Sequence, residues 1–353
     1  MNPTRNTDIR SLFLPELESI LCERGEPQYR ARQLYTWLHD RDAEGYGEMT
    51  DLPKALREKL EAAFPLRAPE TLQVQTSALD GTQKYLFALG DGNVIESVRM
   101  RYRHGVSVCV STQVGCRMGC RFCASTLDGR VRDLTAGEML GQVSRIRKAT
   151  GERVSHVVLM GSGEPLDNYE QVLRFIRLLS APGTNQISQR NITLSTCGLV
   201  PEIRRLAEEE LAITLAISLH AATDEKRRTI MPVARRYGLD ELMAACTDYF
   251  EKTGRRVSFE YALIAGENDS EEDARLLAQL LKPQHGHLNL IPVNRVRERN
   301  YRRPTASTIV NFHKKLEKYG INVTIRREMG PDIDGACGQL RKRYIETDQE
   351  NQE

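Results

Sequence analysis

The stretch CVSTQVGCRMGCRFCAST, residues 109–126, ends an apolar strand pattern and begins a cysteine-rich loop. Cys116, Cys120 and Cys123 are spaced as C-x3-C-x2-C, and Cys109 stands seven residues before the first of them. Soft thiolate ligands select zinc or an iron–sulfur cluster. A fully ligated 4Fe–4S cluster takes four cysteines, so a set of three predicts a cluster with one iron open to a small molecule.

Two other interpretations fit the same spacing. A structural zinc site would be completed by Cys109 or His104, and a chance group of buried thiols would bind nothing. Zinc sites usually combine two C-x2-C-like pairs or paired histidines, and the sequence shows no second pair of this kind. The spacing therefore favours an iron–sulfur cluster over zinc.

Downstream of the loop, a short apolar strand, a polar turn and an amphipathic helix alternate, which predicts a parallel sheet with helices outside it. Helices are expected near 135–149, 167–181, 201–210, 238–253 and 270–282. Six strands are predicted: GVSVCVST, SHVVLMG, RNITLST, LAITLAISLH, RVSFEYALIAG and HLNLIPVN. Closed eight-unit barrels take about 250 residues, and residues 105–294 are fewer. The expected fold class is therefore α/β, with a partial (βα)6 barrel.

The segments around this series have a different character. Residues 1–70 carry apolar positions at helical spacing and predict a small helical accessory domain. Residues 71–104 alternate around DGT and GDGN turns and predict a short antiparallel sheet leading into the barrel. Residues 295–346 form a C-terminal extension with an arginine-rich loop, a helix and a strand, and residues 347–353 predict a disordered tail.

The composition and charge of the chain limit the partners and the cellular location that are expected. The chain has 353 residues and a net charge of +2, so nucleic-acid binding would depend on local basic patches. Neither a signal-peptide pattern nor an apolar run of membrane-spanning length is present, so a cytoplasmic protein without a membrane partner is expected. Cytosolic thiols are kept reduced. Cys22, Cys197 and Cys246 are therefore predicted to be buried thiols without a chemical role.

Several motifs together carry a family resemblance. The C-x3-C-x2-C set at the end of the first βα strand resembles the signature of radical S-adenosylmethionine (SAM) enzymes. The wider set CVSTQVGCRMGCRFC, LMGSGEPLDN, LSTCG, ISLHA and RREMGPDIDGACGQLR resembles the RlmN family of RNA adenine methyltransferases. That family acts on 23S ribosomal RNA and transfer RNA, and the antibiotic-resistance methyltransferase Cfr is a close relative. The resemblance covers nearly the whole chain.

The resemblance implies a radical-SAM barrel in which Cys116, Cys120 and Cys123 hold a 4Fe–4S cluster. It also implies two SAM molecules per turnover, and an electron donor such as flavodoxin is expected as a partner. One SAM methylates a cysteine, and the second yields a radical that takes hydrogen from the S-methyl group. Carbons 2 and 8 of adenine lie between ring nitrogens and are not nucleophilic, so a radical route is needed. We also expect the chain to be a monomer.

The same resemblance assigns three catalytic residues. Cys337 in DIDGACGQL matches the methyl carrier, and Cys109 matches the thiol that releases the product by forming a disulfide with it. Glu96 in NVIESV matches a general acid or base. Without the family, Cys337 reads as a buried thiol beside a helix end, Cys109 as an inward-facing strand residue and Glu96 as a solvated strand residue.

The predicted SAM contacts lie at the ends of barrel strands, where functional loops gather. Glu164 would accept hydrogen bonds from the SAM ammonium, and Gly163 would let the backbone approach closely. Alone, this G-x-G-E pattern reads as a turn and His220 as a core or capping histidine. Ser162 stands where many relatives have methionine. The full set is Gly163, Glu164, Ser195, Ser218, Leu219, His220 and Asn294.

An RNA-binding surface is predicted in the arginine-rich loop, where Tyr301 accompanies five arginines suited to phosphate contact and base stacking. The alternative interpretation is a solvated charged face. The N-terminal helices, with YRARQLYTWLH, resemble the family's accessory RNA-binding domain. The arginines are Arg295, Arg297, Arg299, Arg302 and Arg303.

The function expected from these observations is methylation of adenine carbon 2 in 23S ribosomal RNA and in transfer RNA beside the anticodon. Methylation of carbon 8, as in Cfr, is the alternative within the same chemistry. The proline in GSGEPLDN favours carbon 2, because the resistance enzymes often have alanine there. A zinc-stabilised RNA-binding protein without catalytic activity is the alternative of another class.

Overall fold

In the computed structural model of the chain, the described residues are 8–294, 296, 298–333 and 338–350, the side chains of 348–350 excepted. Three residues singled out from the sequence, Arg295, Arg297 and Cys337, lie outside the described residues. The last three positions of the predicted tail, 351–353, also lie outside them.

The N-terminal part contains the predicted helices, α1 (Leu14–Glu23), α2 (Gln28–His39) and α3 (Lys54–Ala63). Their apolar side chains are buried and join one continuous core with those of the barrel. Polar contacts add to this junction. The Nε of Arg147 donates to Asp42 Oδ2 at 2.6 Å, and Nη1 of Arg174 donates to Glu16 Oε2 at 2.6 Å.

The strands form a sheet that runs through the described residues. In chain order they are β1 (Glu70–Thr76), β2 (Gln83–Ala88), β3 (Val94–Tyr102), β4 (Gly105–Cys109), β5 (Gln113–Gly115), β6 (Arg130–Asp133), β7 (Val154–Leu159), β8 (Ile192–Thr196), β9 (Thr214–Ser218), β10 (Val257–Leu263), β11 (Gly286–Pro292) and β12 (Val323–Ile325). The sheet order is β1-β2-β3-β4-β7-β8-β9-β10-β11-β12, antiparallel up to β4 and parallel beyond it. The six predicted barrel strands are therefore confirmed.

The sheet differs from the prediction in two respects. The antiparallel strands continue the barrel sheet directly, because β3 pairs with β4 from Val98 opposite Cys109 to Tyr102 opposite Gly105. In addition, β12 extends the parallel part beyond β11, with Leu288 opposite Val323. An uncovered edge of β11 would leave backbone groups unpaired, and β12 satisfies them.

The remaining helices cover the sheet or follow it. They are α4 (Ala136–Thr150), α5 (Tyr169–Leu179), α6 (Val200–Ala207), α7 (Asp224–Ile230), α8 (Leu239–Thr253), α9 (Glu271–Leu281), α10 (Ala306–Lys318) and α11 (Gln339–Glu350). Sequence periodicity did not predict α7, which is short and densely charged, or α11. The last helix runs to Glu350 and so enters the segment 347–353, for which disorder was predicted.

A small antiparallel ribbon of β5 and β6 stands apart from the main sheet and brackets the cysteine-rich loop. Val114 lies opposite Arg132, so the chain leaves and re-enters the ribbon on either side of the three cysteines. Within the described residues, no helix combines the length and the apolar character needed to cross a bilayer.

Candidate active site

A cavity of about 370 Å³ lies at the carboxyl ends of the parallel strands and opens to solvent. Most of the residues singled out from the sequence meet in its lining. They are Cys109, Cys116, Cys120, Cys123, Gly163, Glu164, Ser195, Ser218, His220 and Asn294. Leu219 and Glu96 do not line it.

The cysteine-rich loop is held in place by its own backbone. The N–H of Cys116 donates to Gly129 O at 2.9 Å, which closes the loop across the β5–β6 ribbon. Thr126 Oγ1 donates to the carbonyls of Cys120 and Cys123 at 3.0 and 2.9 Å. Gly115 has φ of 73°, and a Cβ there would lie 2.0 Å from Gly129 O. Only glycine fits that position without a shift of the backbone.

The thiols of this loop face the cavity from an apolar setting. Cys116 and Cys120 are buried and Cys123 is half-buried. Burial raises the pKa of Cys116 to about 12, so a thiolate here needs a bound cation to stabilise it. Among the described residues, no three His, Cys, Asp or Glu side chains converge on the position of a single metal ion. A cluster of several irons needs more widely spaced sulfurs, and three thiols on one cavity fit it in donor chemistry.

Glu164 and Gly163 join the ends of neighbouring strands. Gly163 has φ of 110°, and a Cβ there would lie 2.7 Å from the backbone nitrogen of Gln113. The buried Glu164 carboxylate accepts the N–H of Leu166 at 3.1 Å and that of Cys197 at 2.8 Å. Burial raises its pKa. The side chains of Thr196 and Cys197 also donate to this carboxylate, so four hydrogen bonds fix it at the strand ends.

His220 is a buried, neutral imidazole with a positive φ of 59°. Its Nδ1 accepts the N–H of Ala262 at 2.9 Å, which places the ring proton on Nε2. The ring packs edge-on against Phe122 with 4.8 Å between centroids. Burial lowers the pKa of His220 to about 3. The cavity therefore gains a neutral hydrogen-bond donor at this position.

Leu219 lies between two cavity residues but has a different environment. Its side chain is fully buried in the hydrophobic core, and its N–H donates to Glu260 O at 3.0 Å. The SAM contact expected at Leu219 stays a prediction.

Glu96 lies on β3, behind the cavity, and holds the start of α11. Its Oε2 accepts the N–H of Gly338 at 2.6 Å, and its Oε1 accepts the N–H of Arg341 at 2.6 Å. The Nζ of Lys84, itself fully buried, lies 3.1 Å from Oε2. The carboxylate thus caps a helix N-terminus, where backbone N–H groups need acceptors. Glu96, which was predicted to be a general acid or base, makes hydrogen bonds that position the start of α11.

Cys109 lies at the end of β4 and also lines the cavity. It is 7% exposed and packs with Val98 and Met100. Met160 and Met329 border the same cluster and also line the cavity. An apolar, polarisable surface therefore surrounds this thiol, which suits a planar ring.

Only part of the arginine-rich loop lines the cavity. Arg302 and Arg303 are exposed, and Arg303 lines the cavity while its Nη1 donates to Glu328 Oε2 at 2.6 Å. Arg326 and Arg327, after β12, also line the cavity and were not predicted. They follow a strand whose place in the sheet the sequence pattern did not reveal.

The remaining thiols are Cys22, Cys197 and Cys246, and the prediction that all three are buried is only partly confirmed. Cys246 and Cys197 are buried as expected, but Cys197 lines the cavity beside Cys120. Cys22 is exposed, so the prediction of burial was wrong there. It lies in the last turn of α1, whose buried face carries Leu17 and Leu21.

The chain is similar to known proteins over nearly its whole length. Two family models match the chain, the ribosomal RNA large subunit methyltransferase N-terminal domain over residues 7–65 and the radical SAM superfamily over residues 110–278. The probable dual-specificity RNA methyltransferase RlmN of Lachnospira eligens is 57% identical, over 96% of this chain and 97% of that protein. The protein of the same description from Lachnoclostridium phytofermentans is 55% identical, over 97% and 96%.

A solved structure is also similar over nearly the whole chain. The crystal structure of a radical SAM methyltransferase from Sphaerobacter thermophilus has a TM-score of 0.91 and 44% sequence identity. The match covers 96% of this chain and 99% of that one.

Proposed function

The chain belongs to the RlmN family of radical SAM RNA methyltransferases, and from this premise we propose that it methylates carbon 2 of adenine in 23S ribosomal RNA and in transfer RNA beside the anticodon. One observation carries the proposal: Cys109 and the three loop cysteines face the same cavity at the strand ends. A cluster protein that only transfers electrons has no need of a further thiol there.

The family uses a 4Fe–4S cluster and SAM. We propose that Cys116, Cys120 and Cys123 hold the cluster, and that the strand-end residues hold SAM. When bound, the two together supply the radical chemistry that a non-nucleophilic ring carbon requires. Glu164 would accept the ammonium of SAM, since it is an acidic side chain in the cavity lining at the strand ends. Neutral His220 would donate from Nε2 without adding charge.

The two thiols of the transfer have separate tasks in the proposal. Cys337 carries the methyl group, and Cys109 releases the product by forming a disulfide with it. The apolar setting of Cys109 supports this task, because an adenine ring stacks readily against the methionine side chains around it. Glu96 supports the transfer by holding Gly338, the residue that follows the carrier. We also propose that the chain acts as a cytoplasmic monomer with a flavodoxin-type electron donor.

Deletion of the gene tests the proposal directly. Nucleoside mass spectrometry of purified 23S ribosomal RNA and of transfer RNA is expected to show loss of 2-methyladenosine from both, restored by the wild-type gene. Unchanged 2-methyladenosine would contradict the proposal. Loss of 8-methyladenosine instead would assign the chain to carbon 8.

A further inference from the structure

Arg227 is a fully buried guanidinium in α7 that no motif in the sequence singled out. Its side chain is 0% exposed. Nε donates to Leu219 O at 3.1 Å, and Nη2 donates to Cys197 O at 2.7 Å and lies 3.4 Å from Ser218 O. These carbonyls follow or end β8 and β9. One side chain therefore fastens together two strand ends that carry cavity residues.

The guanidinium of Arg227 makes no direct contact with a carboxylate of the described residues. Within the part of the chain that the structure describes, no Asp or Glu oxygen forms an ion pair with it, and its Nη1 has no hydrogen-bond partner. Asp224, on the same helix, is used by the N–H of Leu239 at 3.0 Å and by Arg228. Backbone carbonyls solvate this guanidinium but do not neutralise it, and a buried charge without a counter-charge is unfavourable. Its persistence points to an anionic group that completes the site.

The cysteine-rich loop lies directly against the helix that carries this charge. The N–H of Arg121 donates to Ile230 O at 2.9 Å, at the end of α7. Ile230 and Met231 pack in one buried cluster with Cys120 and Cys197. The ionisable groups near the guanidinium are Cys197, Cys120, Asp224 and Cys246. Cys120 is the one of these proposed to become an anion through its cofactor.

We propose that Arg227 is a positioning residue for the iron–sulfur cluster, with two tasks. Its hydrogen bonds fix the ends of β8 and β9 under the cysteine loop, and its charge balances the thiolates and the cluster they hold. This inference rests on the proposed function, because it requires a cluster at the three loop cysteines. It assigns a role to a residue that touches neither SAM nor RNA.

The charge has a predictable effect on reduction. A cluster that accepts one electron becomes more negative by one charge, and a nearby buried cation stabilises the reduced state more than the oxidised state. Removal of the cation therefore shifts the midpoint potential to more negative values. A tenfold change in the one-electron equilibrium corresponds to about 59 mV.

The experiment compares reconstituted, anaerobic wild-type enzyme with Arg227→Gln and Arg227→Lys. Arg228→Gln is the matched control, since it removes the same charge from the adjacent, exposed position of α7. Iron content, the midpoint potential from a dithionite titration followed by electron paramagnetic resonance, and the melting temperature are measured for each. We expect a more negative potential in Arg227→Gln, and wild-type potentials in Arg227→Lys and Arg228→Gln.

Equilibrium binding of SAM distinguishes the two tasks of Arg227, which are to fix the strand ends and to balance the charge of the cluster. Lysine keeps the charge but lacks the planar fork that reaches several carbonyls, so Arg227→Lys is expected to bind SAM several-fold more weakly at an unchanged potential. If Arg227→Gln does not fold, the Arg227→Lys variant decides. Unchanged SAM binding by Arg227→Lys overturns the proposal that the hydrogen bonds of Arg227 fix the ends of β8 and β9. A potential of Arg227→Gln equal to that of Arg228→Gln overturns the charge-balancing role. A wild-type protein without iron would instead contradict the proposed function itself.

Discussion

At the scale of single residues, Cys109 and the loop cysteines have the same thiol chemistry but lie on different elements of the fold. The loop cysteines leave a ribbon that holds their backbone, whereas Cys109 ends a barrel strand with its backbone engaged in the sheet. The proposed ligands therefore share one loop, and Cys109 belongs to a different element of the fold.

Replacement of Cys109 by alanine is expected to trap a covalent complex between the protein and its RNA through Cys337. The thiol that resolves the thioether would be missing, while the methyl carrier would remain. Denaturing gels of the reaction with transfer RNA, followed by mass spectrometry of the peptide that contains DIDGACGQL, measure this product. Cys246→Ala removes a buried thiol of α8 outside the cavity and serves as control. Free methylated RNA at the wild-type rate from Cys109→Ala would contradict the assignment.

The sequence could identify strand-end residues but not the partners of Arg227 or Glu96. Parallel strands have a local signal, because apolar runs and turns repeat, and their carboxyl ends share one edge. Arg227 lies in the segment DEKRRTI, where a pattern of charges predicts solvent exposure. Glu96 and Gly338 are 242 positions apart, and no local pattern encodes a contact at that separation.

At the scale of elements, α11 is held at its start by the Glu96 carboxylate and along its first turn by further contacts. Glu96 accepts two N–H groups at its N-terminus, Leu340 packs on Leu86 and Val94, and Lys342 Nζ lies 3.0 Å from Asp128 Oδ1. Asp128 follows the loop cysteines closely in sequence. The helix is therefore fixed to the antiparallel strands and to the cysteine-rich loop at once.

Glu96→Gln is expected to loosen α11. An amide keeps one acceptor oxygen but replaces the other with an NH2 group, so one N–H at the start of α11 loses its acceptor and the ion pair with Lys84 is removed. A buried donor left without its acceptor costs about 1–3 kcal/mol. Faster amide hydrogen exchange in residues 338–347, together with a lower melting temperature, is the expected measurement. Glu346→Gln, an exposed change on the same helix, is the control. Lost methylation with unchanged exchange in Glu96→Gln would favour an acid or base role instead.

At the scale of the whole molecule, the N-terminal helices and the barrel share one core. Each part also holds a buried neutral histidine, His39 in α2 and His220 after β9, whose pKa is lowered to about 3 by burial. Above pH 6.5 these residues are neutral in both the folded and the unfolded state. As the pH falls below 6.5, the unfolded state binds protons that the folded state does not, so stability is lost toward pH 3.

The free energy of unfolding is therefore expected to fall on acidification by up to about 1.4 kcal/mol per pH unit for each of the two histidines. Urea unfolding between pH 7 and pH 5 measures this slope. His39→Gln, which lies outside the cavity, should reduce the slope by the share of one histidine. An identical slope in wild type and variant would show that His39 is protonated in the folded protein.

The β5–β6 ribbon has a consequence for how the cofactor enters the protein. Bringing the two ends of a loop together costs conformational entropy. In the cysteine-rich loop the pairing of β5 with β6 already holds the two ends together, so cluster binding does not have to close the loop. Cluster insertion then requires little further ordering of the chain, unlike the zinc-finger case in which metal binding and folding are one event. We therefore expect the barrel to fold before iron is inserted and to keep its sheet when iron is lost.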